Sequence, residues 1–116
     1  MPDSLRQFKT EIFQTLASPT RIAALDELRH GELTVSDIVS RLGVEQSNLS
    51  QHLAIMRARQ IVTTRKSGNQ VYYSVRDPLI FEVLDVMRRY FQNQVSESIR
   101  LLEGGGSSRS KRVRSS

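Results

Sequence analysis

The fold is decided by residues 46–59, which read QSNLSQHLAIMRAR. Leu49, Leu53 and Met56 recur at the spacing of one face of a helix. Short amide and hydroxyl side chains fill the first turns, and no charged residue occurs before Arg57. A solvated helix usually carries charged residues along its outer face, whereas amides and hydroxyls can hydrogen-bond to base edges in a DNA major groove. The stretch therefore predicts a helix that buries one face and reads DNA with its N-terminal end.

The surrounding charge favours the same interpretation. Residues 46–76 contain no acidic residue, although the chain holds twelve acids. The window contains five basic residues, namely Arg57, Arg59, Arg65, Lys66 and Arg76. Such a window indicates a surface for an anionic partner. The alternative is an ordinary amphipathic helix whose polar face happens to lack acids.

Three further helices are predicted upstream. The first is amphipathic, with apolar positions at Leu5, Phe8, Ile12, Phe13 and Leu16. The second begins with the Ser-Pro pair at 18–19, a helix cap followed by a first-turn proline, and stops at the His-Gly pair at 30–31. The third begins at Thr34, where Asp37 completes a variant capping box, and ends at Gly43. A Gly-containing turn between two helices predicts a helix-turn-helix.

Downstream of the deciding stretch the pattern changes to strands. Residues 61–66 and 70–75 are rich in β-branched and aromatic side chains, and the turn-forming residues 67–69 lie between them. We therefore expect a two-stranded hairpin that leans on the helices. The Asp-Pro pair at 77–78 begins a long last helix that ends at Gly104. Its broad apolar face comprises Leu79, Ile80, Val83, Leu84, Val86, Met87, Tyr90 and Phe91.

Length and charge distribution predict one domain and a tail. Residues 1–103 hold thirteen basic and twelve acidic residues, whereas 104–116 add four basic residues and are rich in Gly and Ser. We expect a nearly neutral domain over 1–103 and a flexible basic tail over 104–116. The chain has no apolar run of about 20 residues and no apolar core near its start. We therefore expect a cytoplasmic protein that does not contact membranes.

The first and last helices carry more apolar surface than a domain of this size can cover. Two copies could bury those faces against each other, which predicts a two-fold homodimer. The candidate interface residues are Leu5, Phe8, Ile12, Val83, Met87, Tyr90 and Phe91.

Four motifs, in this order and at these spacings, resemble the ArsR/SmtB family of winged helix-turn-helix regulators. They are LASPTRI at 16–22, LTVSDI at 33–38, SNLSQHL at 47–53 and RKSGNQVYY at 65–73. The resemblance implies a mainly α fold with a small β-hairpin: four helices, the hairpin as a wing, and a long last helix. It also implies a homodimer, joined through the first and last helices, that binds a double-stranded DNA operator. Such a repressor blocks transcription until an effector releases it.

The predicted DNA-contacting residues lie on the fourth helix and the wing. They are Gln46, Ser47, Asn48, Ser50, Gln51, His52, Arg57, Arg65, Lys66 and Asn69. The resemblance places Ser47, Ser50 and Gln51 at the positions that meet DNA. Ser47 has the alternative role of a helix cap, and His52 that of a packed structural histidine.

The basic residues in this set also have alternative roles. Arg57 lies near a helix C-terminus, where it can act as a partner of the helix dipole. Arg65 and Lys66 either hold DNA phosphates or are ordinary edge-strand charges.

The metal sites of the family are not expected here. The positions that match a Cys-x-Cys metal site hold Thr34 and Ser36, whose hydroxyls are poor ligands for soft metals. A second family site retains Asp77, but the other matching positions hold Leu79, Tyr90 and Asn93. The chain has no cysteine, which excludes disulfides, thiol redox sensing and thiolate ligation. We therefore predict no metal and no cofactor, and the sequence leaves the effector open.

Catalysis is not expected either. The chain has no cysteine nucleophile, no glycine-rich phosphate loop and no paired acids in a predicted cleft. We interpret the chain as a DNA-binding regulator rather than an enzyme. The alternative is a winged-helix protein-interaction module that uses the last helix. A module without DNA binding would be free to accept acids in residues 46–76, and none occurs there.

Overall fold

The computed structural model describes residues 2–104. The helices are α1 (Pro2–Leu16), α2 (Pro19–Glu27), α3 (Val35–Leu42), α4 (Gln46–Ala58) and α5 (Leu79–Gly104), and a 3-10 turn (Leu28–His30) follows α2. The strands are β1 (Leu33–Thr34), β2 (Val62–Ser67) and β3 (Gln70–Val75). The chain forms two compact units, one that ends at Phe81 and one that begins at Glu82. The predicted winged helix-turn-helix fold is confirmed, whereas the predicted basic tail after Gly104 lies outside the described residues.

The predicted helix boundaries rest on local capping bonds. The Ser18 hydroxyl accepts a hydrogen bond from the backbone N–H of Arg21 at the start of α2. At the start of α3, the Thr34 hydroxyl accepts from the Asp37 N–H (3.1 Å), and the Asp37 carboxylate accepts from the Thr34 N–H (3.2 Å). Gly43 ends α3 in the left-handed region with φ of 69°, a conformation that glycine adopts without steric penalty. The capping box sets the start of α3, and Gly43 sets the turn between α3 and α4.

The core of the first unit is built around α4. Its Leu49, Leu53 and Met56 are completely buried, and α4 packs against α2, α3 and β2. The other fully buried large side chains come from those neighbours and are Leu25, Ile38 and Val62. Each such burial contributes roughly 1.5–3 kcal/mol relative to exposure. The α4 helix is therefore fixed by the packing of its own unit.

The sheet has three strands, which corrects the predicted two-stranded hairpin. The strand order is β1-β3-β2 and both pairings are antiparallel. Leu33 of β1 pairs with Tyr73, and Thr34 pairs with Tyr72. A strand of two residues is too short to show a periodicity of its own, and Thr34 carried a clear helix-cap signal instead. The extra strand attaches the start of α3 to the wing.

The wing turn lies where the sequence predicts it. Ser67 pairs with Gln70, so Gly68 and Asn69 form a two-residue loop. Gly68 has a φ of 59° and Asn69 has no positive φ. Glycine in the left-handed region at the first loop position is typical of a type II′ turn, whose twist matches that of the paired strands.

The last helix differs from the others. It is 26 residues long, and none of its residues is buried. Among the helices of residues 2–104, none combines the length and the apolar character needed to cross a membrane.

Candidate nucleic-acid interface

The N-terminal half of α4 presents a polar surface. Gln46, Ser47, Asn48, Ser50 and Gln51 are all exposed, while Leu49 between them is completely buried. The helix starts after Glu45, which makes no side-chain capping bond. The first backbone N–H groups of a helix have no partner within it and carry the positive end of its dipole. The end of α4 can therefore offer hydrogen bonds to DNA from side chains and backbone together.

An acid that the sequence analysis does not include in this surface lies beside it. The Ser47 hydroxyl donates a hydrogen bond of 3.0 Å to the Glu45 carboxylate. Glu45, rather than Ser47, occupies the capping position. Glu45 immediately precedes the acid-free window, and its bond to Ser47 brings a negative charge to the N-terminal end of α4.

His52 takes part in a network that joins α4 to the α1–α2 junction. Its Nδ1 accepts a hydrogen bond of 3.0 Å from Nε of Arg21, and Nη1 of Arg21 donates to the Thr15 carbonyl at 2.9 Å. An imidazole that accepts at Nδ1 carries its proton on Nε2 when it is neutral. His52 is half-buried, so it has the structural partner expected in the alternative interpretation. Its contact with DNA stays a prediction.

Arg65 on the wing is also held by the protein. Its Nε donates to both carboxylate oxygens of Glu32 at 3.1 Å, and its Nη2 donates to Oε1 of the same carboxylate. The guanidinium carbon lies 4.8 Å from the centre of the Tyr72 ring, within the range of a cation–π contact. The hydrogen bond and charge of Arg65 hold the pKa of the Glu32 carboxyl below its ordinary value, and Glu32 raises the pKa of Arg65. Both groups are therefore charged at neutral pH.

The five basic residues of the window fall into two groups. Arg65 pairs with Glu32, and Arg59 pairs with Glu11 at 2.9 Å. The other three have no ion pair within the described part of the chain, namely Arg57, Lys66 and Arg76. Residues 46–76 contain no acid, but two acids from distant positions in the chain, Glu11 and Glu32, pair with basic residues of this window. No local signal in the sequence indicates these two pairings.

Two of the residues considered for metal sites, Thr34 and Asp77, cap helices. Thr34 and Asp37 form the capping box of α3. The Asp77 carboxylate accepts a hydrogen bond of 3.0 Å from the Leu79 N–H at the start of α5. Within residues 2–104, no group of three or more His, Cys, Asp or Glu side chains is placed to hold a metal ion.

Two comparisons place this geometry among known proteins. Residues 18–64, which span α2 to the first half of the wing, match the family model described as "Bacterial regulatory protein, arsR family". An uncharacterized HTH-type transcriptional regulator of Mycobacterium tuberculosis, Rv0081, is 38% identical over 109 residues, which cover 90% of this chain and 96% of that protein. The chain belongs to the arsR family.

Solved structures and a further relative are similar to this chain as well. The crystal structure of Rv0081 matches with a TM-score of 0.75, covering 82% of this chain and 96% of that one. NolR from Sinorhizobium fredii matches with a TM-score of 0.71 at 28% identity, covering 78% of this chain and 90% of that one. The HTH-type transcriptional repressor SmtB of M. tuberculosis is 40% identical over 67 residues, which are 58% of this chain and 50% of SmtB. This arsR-family chain is a DNA-binding transcriptional regulator and not an enzyme.

Proposed function

We propose that this arsR-family protein is a repressor that binds an inverted-repeat operator as a homodimer and reads bases with α4. The observation that carries the proposal is the division of α4 into a completely buried apolar face and an exposed face of amides and hydroxyls. The buried face fixes the orientation of the exposed one, and a fixed array of hydrogen-bonding groups is what base recognition needs. The similarity to the SmtB repressor supports repression as the outcome.

The proposed contacts divide into base readers and phosphate holders. Gln51 can bond N6 and N7 of an adenine together, and Ser50 can reach a base or a phosphate. Lys66 is exposed on the wing without an ion pair in the described chain, so its charge is available to phosphates. Arg57 is exposed at the other end of α4, and Asn69 lies at the wing tip.

The homodimer is proposed from two helices, each considered by itself. On α1, Leu5 and Phe8 are more than half exposed, at 55% and 59%. On α5, the exposed large apolar residues include Val83, Met87, Tyr90 and Phe91. Exposed apolar surface of this extent marks protein interfaces. A two-fold dimer would place its two α4 helices in successive major grooves, about 34 Å apart.

We propose that release from DNA does not depend on a metal. Thr34 and Ser36 supply hydroxyls where soft metals need thiolates, and Asp77 is engaged at the start of α5. Zinc, cadmium and arsenite at stoichiometric amounts should leave the DNA complex intact. A loss of binding that a chelator restores would contradict this proposal.

The proposal is tested by footprinting the region upstream of the protein's own gene, since such regulators often bind there. The protected sequence and a scrambled duplex of equal length are then titrated at several salt concentrations. Tighter binding to the protected duplex, and affinity that falls steeply with salt, is the expected result. Absence of binding to either duplex would contradict the proposal and favour the protein-interaction alternative.

A further inference from the structure

Glu32, Arg65 and Tyr72 meet across all three strands of the sheet. Arg65 lies on β2 directly opposite Tyr72 of β3, and Tyr72 in turn pairs with Thr34 of β1. Glu32 lies two residues before Thr34, one step before β1 begins. The Arg65 side chain therefore extends over the Tyr72 ring on the middle strand and reaches the carboxylate beside the far edge strand.

The bonds to Glu32 occupy one side of the guanidinium. Nε and Nη2 both donate to the carboxylate, and the carboxylate uses both of its oxygens. A phosphate is recognised by the same planar fork of donors. A phosphate and the Glu32 carboxylate therefore compete for this side of the Arg65 guanidinium. Arg65 also adds no net charge to the wing while it is paired.

We propose that Glu32 acts as an internal substitute for a DNA phosphate, holding the Arg65 guanidinium and so weakening the sequence-independent part of DNA binding. This inference rests on the proposed function, in which the wing meets the DNA backbone. Lys66, the next residue along β2, has no such competitor within the described residues. The two adjacent cations therefore differ. Lys66 contributes its charge to DNA binding without a competing acid, whereas Arg65 contributes only when Glu32 releases it.

The test compares E32Q, R65Q and the double variant with the unchanged protein on a random 30-base-pair duplex across a salt series. E32Q removes the charge of Glu32 but keeps its size. It should bind the random duplex about eightfold more tightly at 0.1 M salt, and steepen the slope of log K against log salt by about 0.9, the value for one added phosphate contact. The double variant should bind like R65Q alone, because the gain passes through Arg65.

The matched control is D3N, which removes the same charge from an exposed ion pair between Asp3 and Arg6 on α1. D3N should leave the salt slope unchanged, and thermal unfolding should show that all variants are folded. Unchanged or weaker binding by E32Q, or a gain that persists without Arg65, would overturn the inference while leaving the proposed function intact. An unchanged protein that binds no duplex would instead contradict the proposed function, and the inference with it.

Discussion

The α4 and α5 helices have similar proportions of apolar residues but opposite surroundings. In α4, Leu49, Leu53 and Met56 have no exposed surface, whereas Ser50 and Gln51 between them are exposed. In α5, twice as long, no residue is buried and Phe91 is 65% exposed. The α4 helix has its packing partners within its own unit, so its polar face has a fixed direction. Most of the large apolar residues of α5 are exposed within the described residues, and exposed apolar surface of this extent is typical of a protein interface.

The largest expected effect is on the free energy of unfolding, and it is tested by making the same Leu→Ala substitution in α4 and in α5. Leu53→Ala on α4 should lower the free energy of unfolding by about 2–5 kcal/mol, because it leaves a cavity among fully buried neighbours. Leu102→Ala on α5 should change it by less than about 0.5 kcal/mol, because Leu102 is 85% exposed. Urea unfolding of the two variants measures the difference. Equal losses would show that the two helices are not distinguished by burial.

The second prediction concerns what covers α5. The protein should sediment as a dimer at micromolar concentration, at twice the 13.2 kDa mass of the chain. Phe91→Glu should raise the dimer dissociation constant roughly a hundredfold, because it buries an unpaired charge in the interface. Gln92→Glu adds the same charge at the neighbouring exposed position and is the control. A monomer mass for the unchanged protein would remove the proposed role of α5.

The third prediction concerns the exposed face of α4. Gln51→Ala should weaken binding to the operator by about 1–3 kcal/mol and binding to a scrambled duplex by much less, since base contacts provide the discrimination. Gln92→Ala, the same change on exposed α5 surface, should alter neither. Fluorescence titration with both duplexes gives the two values. If Gln51→Ala binds the operator as tightly as the unchanged protein, α4 is not the reader.

The smallest effect is expected on the wing. Lys66→Ala should weaken operator and scrambled duplex similarly, and flatten the salt slope by about 0.9 per lost contact. Lys9→Ala on α1 removes another exposed lysine and serves as the control. An effect restricted to the operator would indicate that Lys66 reads sequence rather than phosphate.

Predictions from the sequence succeed where the cause is local. The starts of α2 and α3 depend on side chains within three residues of each cap. The wing turn depends on Gly68, because its φ of 59° suits glycine. The buried face of α4 follows from the spacing of its own apolar residues. The strand β1 could not be predicted in this way, because two residues form a strand only when β3 is beside them.

The sequence by itself determined the order of the helices and hairpin, the helix-turn-helix, the polar face of α4 and the family. These follow from periodicity, caps and motifs, which act over a few residues. Only the tertiary structure decided which basic side chains of residues 46–76 form ion pairs. Arg65 finds Glu32 at a distance of 33 positions, Arg59 finds Glu11 at 48, and Arg21 finds His52 at 31. Charge partners are set by proximity in space, and the packing of α4 and the pairing of β1 with β3 bring such distant residues together.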